Sequence, residues 1–289
     1  MGLLDKFLNR RGGANATMSM MEHIEALRWH IVRSVIVIIV AAIFAFININ
    51  FIFDKVIIGP ANGDFIAYEW FCAVGKLFHI EELCMDGVTL RFQNTQLAGQ
   101  FMLSISVAFF VGFIIAFPYV FWEFWRFVKP ALTDNEVKMA SGIVLWSSLL
   151  FIAGVAFAYF IIAPFTIGFF ATYELSEQFE NIITIKNYYS TISSLIIGIG
   201  IVFELPIVVY FLSKIGFLTP NFMREKRRYA IVIILFISAI ITPPDWFSMI
   251  LVWMPLMLLY EISIFISAKV EKTRNKELGI LEEDEPLDW

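Results

Sequence analysis

The stretch LIIGIGIVFELPIVVYFL, Leu195–Leu212, decides the fold class of this chain. It is eighteen residues long and carries one ionisable side chain, that of Glu204. A central acid on a membrane helix costs about 2.5–3.5 kcal/mol, whereas each Leu, Ile, Phe or Val contributes roughly −0.3 to −0.6 kcal/mol. Because thirteen such residues surround the acid, the stretch still inserts into a bilayer as a helix.

Glu204 has no opposite charge within its own helix. Its carboxylate must therefore be protonated, paired with a group from another segment, or placed against a water-filled concavity. Intramembrane acids mark function by default, and the alternative is a protonated side chain that only hydrogen-bonds a neighbouring helix. Glu261 is a second acid without a local base, either buried in the last apolar run or solvated at the membrane interface.

Composition extends the membrane prediction to the whole chain. Hydrophobic residues make up 59% of the 289 residues and charged residues 16%, so the apolar runs are too long and too numerous for one soluble core. We predict an all-α integral membrane protein, a concave bundle of six transmembrane helices with short fifth and sixth spans. The predicted spans are Ile31–Ile47, Phe101–Phe121, Ala140–Ala163, Thr191–Leu212, Tyr229–Ile241 and Phe247–Ala268.

The fifth run is the shortest of the six. Its thirteen residues reach only about 20 Å as a helix, less than the roughly 30 Å of hydrocarbon in a bilayer. Pro243 and Pro244 end it, because proline lacks the backbone donor and clashes with the preceding turn. Asp245 follows as a predicted N-cap of the last helix.

Lys and Arg counts predict the orientation. Seventeen lie in the N-terminal segment, the second and fourth loops and the C-terminal tail, against four in the opposite loops, which places both termini in the cytoplasm. Three parts follow: residues 1–30, a cytoplasmic segment with an amphipathic helix from Met20; residues 31–268, the membrane domain with an outward cap loop at about 48–100; and residues 269–289, an acidic tail. Cys72 and Cys84 both lie in the cap loop, either as a disulfide or as two free thiols.

Motifs of catalysis are absent from the sequence. We find no zinc-binding histidine spacing, no Gly-x-Ser-x-Gly and no phosphate-cradling loop with lysine, and therefore predict no enzyme activity, metal, cofactor or nucleic-acid partner. The second loop instead holds an aromatic-rich segment between Pro118 and Pro130. Thr133 and Glu136 after it fit a capping box, so Glu136 is either a helix cap or a functional acid.

Four stretches together resemble one family, TatC, the multispanning core subunit of the twin-arginine (Sec-independent) protein translocase. The similarity runs in order from about Met20 to Lys269 with the same six-helix topology. The stretches are His23-Ile24-Glu25-Ala26-Leu27-Arg28; Phe117-Pro118 through Trp125, Phe127, Pro130-Ala131-Leu132 and Glu136; Phe203-Glu204-x-Pro206; and Thr242-Pro243-Pro244-Asp245 with Pro255, Tyr260 and Glu261.

The resemblance implies a receptor in the bacterial inner membrane that binds twin-arginine signal peptides of folded cargo at its cytoplasmic face. The predicted signal-binding residues are Glu136, Glu22, Glu25, Arg28 and Glu123, since carboxylates accept the forked hydrogen bonds of a guanidinium. Glu204 would contact the inserted signal or a partner helix. The resemblance further implies single-span TatA- or TatB-type partners, self-association, contact with membrane lipid and export driven by the proton gradient.

Two positions depart from the family pattern. Ala26 stands where the family usually has an acid, with Glu25 beside it and Glu22 one turn earlier on nearly the same face. Glu123 stands where the family often has an uncharged amide. The N-terminal acidic role is thus either displaced to Glu22 or Glu25 or carried by Glu136 alone.

Two other classes of protein compete with the translocase. A proton-coupled secondary transporter would use Glu204 to cycle protons for a small solute, but the sequence shows neither an internal repeat nor a cation partner for this acid. A structural membrane scaffold would leave Glu204 and the aromatic loop unexplained.

Overall fold

The computed structural model of the chain describes residues 20–79, 90–131, 142–173, 176, 182–242 and 245–277, and these are almost entirely helical. The ten helices labelled in this part of the chain are α1 Met20–Ile47, α2 Ile66–Phe78, α3 Gly99–Val128, α4 Ile143–Phe157, α5 Ala163–Thr172, α6 Ile185–Val202, α7 Leu205–Lys214, α8 Pro220–Glu225, α9 Arg227–Ile241 and α10 Trp246–Glu277.

Short elements connect these helices. A helical turn at Ile49–Phe51, a π-helix at Ile52–Ile57 and a 3-10 turn at Gly59–Ala61 lie between α1 and α2, a 3-10 turn at Lys129–Ala131 follows α3, and a π-helix at Ala158–Ile162 joins α4 to α5. Strands β1 (Phe92–Gln93) and β2 (Ile183–Thr184) pair in parallel, with Phe92 opposite Ile183.

The all-α membrane fold is confirmed. Among the described residues, five helical stretches are long and apolar enough to cross a bilayer: Ile24–Ile47, Gly99–Val128, Ile143–Thr172, Ile185–Lys214 and Ser248–Asn275. The predicted amphipathic segment from Met20 continues into the first span as a single helix of 28 residues.

The fifth and last predicted spans differ in length. Helix α9 has 15 residues, which span about 22 Å, so the fifth helix is short, as predicted. It is not among the five stretches above, and a sixth membrane span therefore stays a prediction. Helix α10 has 32 residues, and the prediction of a short sixth span was wrong. The apolar pattern ends at Ala268, but the Lys, Glu and Arg residues that follow are good helix formers and extend the helix.

Helix α1 packs mainly against α3, in antiparallel orientation. Near the middle of this pair, a Cβ at Gly112 would lie 2.7 Å from the backbone nitrogen of Ala42, so only glycine permits this approach. His30 contacts Glu123 nearer the start of α1. We call the end of the bundle that contains His30 and Glu123 the N-terminal end.

The opposite end carries the predicted cap, which we call the cap end. Three tyrosine hydroxyls donate hydrogen bonds to carbonyl oxygens there: Tyr159 to Val56 at 2.8 Å, Tyr188 to Ile57 at 2.8 Å and Tyr68 to Pro60 at 2.9 Å. The π-helix and 3-10 turn leave these carbonyls without regular helical partners, and the tyrosines satisfy them.

The predicted cysteine pair falls at the cap end. Cys72 lies in α2 and has no free thiol, because it is disulfide-bonded. Cys84 lies outside the described residues, so its pairing stays a prediction.

The core lies where α4 and α6 cross. Phe151, Leu195 and Ile199 are fully buried there. A Cβ at Gly154 would lie 2.7 Å from the Phe203 ring and 3.0 Å from the Cα of Gly200, so two glycines bring the backbones together, as small residues do in membrane bundles. This crossing positions the buried acid.

Candidate functional site

Glu204 lies at a break in the fourth membrane stretch. Phe203 and Glu204 form the turn between α6 and α7, and Pro206 occupies the first turn of α7. Proline has no backbone N–H to continue the hydrogen-bond ladder of α6. The sequence motif therefore places the acid at a helix junction within the membrane.

The carboxylate of Glu204 is paired with a neutral donor from another helix. Ser147 of α4 donates a 2.7 Å hydrogen bond to Oε2, and the residue is only 9% exposed. Its other oxygen, Oε1, is buried and has no hydrogen-bond partner in the described part of the chain. This contact pairs the acid with a group from another helix, and it fits equally the alternative of a protonated side chain that hydrogen-bonds a neighbouring helix. The oxygen without a partner retains accepting capacity.

A second buried acid, Glu123, joins α1 to α3 at the N-terminal end. It is 1% exposed and contacts the Nδ1 atom of His30, while the Tyr119 hydroxyl donates to Oε1 at 2.9 Å. Arg126 approaches Oε1 at 3.5 Å, and its guanidinium lies 4.8 Å from the ring centroid of Trp122. Both carboxylate oxygens are therefore already engaged within the chain.

The predicted acids of the N-terminal helix lie one to two turns from this cluster. Glu25 and Arg28 are exposed on α1, and Glu25 makes no ion pair with any described residue. By helical periodicity Glu22, Ala26 and His30 share one stripe of α1. The side chain of Glu22 lies outside the described part of the structure, as does the whole of Glu136.

Glu261 is tied to another helix. Its Oε2 accepts a 2.7 Å hydrogen bond from Arg227 at the start of α9, with both side chains partly exposed. Of the two alternatives for this acid, solvation near the membrane interface is therefore supported, and it comes with a base from α9.

The remaining motif residues have structural positions. Pro118 lies inside α3, and Pro130 lies in the exposed 3-10 turn after it. The Trp125 ring meets Phe211 edge-on at 6.1 Å, and the Phe127 ring meets His30 at 6.2 Å.

Asp245 confirms its predicted cap, because its Oδ1 accepts from the Ser248 backbone N–H at 2.6 Å. Pro243 and Pro244, the predicted stop before it, lie outside the described residues.

Sequence reasoning missed the partners of the acids. Ser147, His30 and Arg227 were not predicted, although an acid alone in its helix requires a donor from another helix. Ser147 lies in the middle of an apolar run, which is a usable signal for such a donor. His30 lies seven residues after His23, a spacing that does not suit zinc, and the sequence gives no other signal of its pairing with Glu123.

These features define a multi-pass helical membrane protein. It has a buried carboxylate at a helix junction, and a polar contact between His30 and Glu123 joins its first two membrane helices. The family model described as Sec-independent protein translocase protein (TatC) matches residues 22–255. A TatC of Blattabacterium sp. subsp. Periplaneta americana (strain BPLAN) is 44% identical over 259 residues, covering 89% of this chain and 97% of that relative. A TatC of Halalkalibacterium halodurans is 30% identical over 267 residues, covering 90% and 96%.

Solved structures agree with these relatives. A crystal structure of the twin arginine translocase receptor TatC superposes with a TM-score of 0.65 at 31% identity, covering 87% of this chain and all of that one, 100%. The same receptor in DDM gives a TM-score of 0.69 at 31% identity, covering 85% and 99%.

The chain belongs to the TatC family. It is a multi-pass membrane component of the Sec-independent translocase, which works with other subunits, and it is not an enzyme.

Proposed function

We propose that the chain is the receptor subunit that binds twin-arginine signal peptides at the N-terminal end of the bundle. The proposal rests on the position of Glu25. Its carboxylate is exposed and forms no ion pair within the described residues. Its helix, α1, is held against α3 by the contact of His30 with Glu123. A held but unpaired carboxylate is the acceptor that a guanidinium requires.

Arginine pairs are distinguished from lysine pairs by hydrogen-bond geometry. A guanidinium presents two parallel N–H groups to one carboxylate, whereas an ammonium offers a point charge. Glu22, Glu25 and Glu136 are the proposed acceptors, and Arg28 follows Glu25 by three residues on α1. Glu123 supports the site indirectly. Its two oxygens contact His30, Tyr119 and Arg126, so its role is to fix the rotation of α1 about its axis.

The apolar part of the signal would then lie along the bundle towards Glu204. The unpartnered Oε1 of this acid is available to accept one hydrogen bond from an inserted chain or from the helix of a single-span partner. TatA- or TatB-type partners would dock at the edge formed by the short helix α9, where the bilayer must thin. Further copies of this chain would associate with the complex.

The proposed setting is the bacterial inner membrane with both termini in the cytoplasm. The seventeen-to-four distribution of Lys and Arg supports this orientation. In this setting the proton gradient would drive export of folded cargo.

Peptide binding to the purified protein tests the proposal. A twin-arginine signal peptide is titrated against its Lys-Lys variant, and we expect the first to bind more tightly. Glu25→Gln should reduce that preference, while Glu69→Gln, which removes an exposed acid at the cap end, should not. Equal binding of both peptides would contradict the receptor and favour the proton-coupled transporter that uses Glu204.

A further inference from the structure

A cluster of cations lies where α8 meets α9. Residues 224–228 read Arg-Glu-Lys-Arg-Arg, and all five side chains are exposed. The run thus carries four positive charges and one negative charge, that of Glu225. We call this segment the basic turn.

Contacts with α10 fix the basic turn. The hydroxyl of Tyr260 donates a 2.8 Å hydrogen bond to the carbonyl of Met223, whose side chain is buried. Arg227 forms an ion pair with Glu261. Arg224 and Arg228 form no ion pair within the described residues, and Lys226 lies 5.8 Å from the ring centroid of Tyr229. Three cations are therefore presented outwards from an anchored backbone.

Exposed aromatic residues flank the cations. Phe217, Phe222 and Tyr229 are 79%, 51% and 66% exposed. Aromatic rings next to Lys and Arg are typical of segments at the level of lipid headgroups. This pattern indicates that the basic turn lies at the membrane surface.

An apolar stripe continues from Tyr229 along α9. Val232 and Ile233 both lie about one turn after Tyr229, and two further members follow at spacings of three and four residues. All four are more than half exposed: Val232, Ile233, Phe236 and Ile240. The stripe runs from the cations towards the centre of the membrane. It offers the surface against which acyl chains lie.

The length of α9 brings these cations close to phosphate groups. Its 15 residues span about 22 Å, against roughly 30 Å of hydrocarbon. A short span draws headgroups inward or leaves its flanking side chains to reach outward for them. Both responses bring phosphates into contact with the start of α9.

We propose that the basic turn and the stripe of α9 bind an anionic phospholipid. The phosphate would lie among Arg224, Lys226 and Arg228, and the acyl chains would cover the stripe wherever no single-span partner is docked at the edge formed by α9. Clusters of Lys and Arg beside a membrane helix attract anionic headgroups. A free phosphate would leave the stripe uncovered, so the occupant is a lipid.

Native mass spectrometry of the purified full chain in dodecyl maltoside tests this site. Phosphatidylglycerol is titrated against phosphatidylcholine with the same acyl chains. We expect the wild type to retain phosphatidylglycerol preferentially, and each neutralised cation to weaken its binding by about fivefold. Arg224→Gln, Lys226→Gln and Arg228→Gln together, with additive contributions, should therefore weaken binding by about a hundredfold.

Two matched variants control the experiment. Lys55→Gln, Lys76→Gln and Lys186→Gln together remove three exposed cations at the cap end and should leave binding unchanged. Arg224→Lys with Arg228→Lys keeps the charge and should keep the preference, which separates charge from misfolding.

Three results would overturn the proposal. They are equal retention of the two lipids by the wild type, equal losses in the basic-turn and cap-end variants, and displacement of the lipid by soluble glycerophosphoglycerol at equal concentration. The last would identify a phosphate site instead of a lipid site. The experiment contains no signal peptide, so its outcome is independent of the proposed receptor function.

Discussion

Removing the Ser147 hydroxyl should destabilise the protein through Glu204. This hydroxyl is the hydrogen-bond donor that the structure shows for the buried carboxylate, at 2.7 Å. Hydrogen bonds to charged groups contribute about 1.5–3 kcal/mol, and an orphaned buried acceptor has a comparable cost. We therefore expect Ser147→Ala to lower the free energy of unfolding by about 1.5–3 kcal/mol.

The neighbouring serine is a matched control. Ser148 is also buried, but its hydroxyl donates to the carbonyl of Val144 in its own helix. This carbonyl can keep its helical partner without the hydroxyl, so Ser148→Ala should cost no more than about 0.5–1 kcal/mol. Both substitutions delete one oxygen, and unfolding by denaturant titration in mixed micelles compares them directly.

Variants of Glu204 complete a double-mutant cycle with Ser147→Ala. In a Glu204→Leu background Ser147→Ala should lose most of its effect, giving a coupling of about 1 kcal/mol or more. Glu204→Gln keeps the hydrogen bond and should retain export, whereas Glu204→Leu should lose export while remaining in the membrane. Equal costs for the two serine variants, or an unchanged cost in the Leu background, would refute the reasoning.

Four other predictions concern the remaining sites. In signal crosslinking, Glu22→Ala and Glu25→Ala should each cause a small loss and the double variant a large one, because the effects of residues that serve one site are not additive. Full export by the double variant would exclude the N-terminal helix from the recognition site. Glu136→Ala should lower signal crosslinking at constant protein abundance, whereas equal falls in both would indicate a capping role. An impermeant thiol reagent should label Cys72 in reduced, intact cells, and labelling only after permeabilisation would reverse the proposed orientation. Burial raises the pKa of Tyr68 to about 12, so its contribution to stability is complete below pH of about 10 and lost as the pH rises through about 12. Tyr68→Phe should therefore reduce the loss of stability at alkaline pH in melts followed by circular dichroism.

The sequence predicted the membrane helices because the bilayer imposes one rule on all of them. Long apolar runs such as Phe101–Phe121 must satisfy their backbone groups internally and become helices. Helix ends were less predictable, because the apolar pattern ends at Ala268 while the charged residues after it are good helix formers that continue the helix. The length of α10 was consequently underestimated.

The acids of the site could be predicted, but their partners could not. A carboxylate in an apolar run, as at Glu204, is conspicuous in one dimension. Whether Ser147 or Ser148 faces it depends on a rotation of about 100° per residue between two packed helices. The same limit hid the pairing of His30 with Glu123, which are 93 positions apart.

The contact between Gly112 and Ala42 has a mechanical consequence for the first helix. Together with the pairing of His30 and Glu123 it attaches α1 to α3 at two points twelve residues apart, or about 18 Å along the axis. A single contact would allow α1 to pivot on α3, whereas two contacts fix its tilt, its rotation and its position along the axis. Helix α1 is therefore held against α3 along much of its length, and a signal peptide bound at Glu25, as proposed, would displace the two helices together.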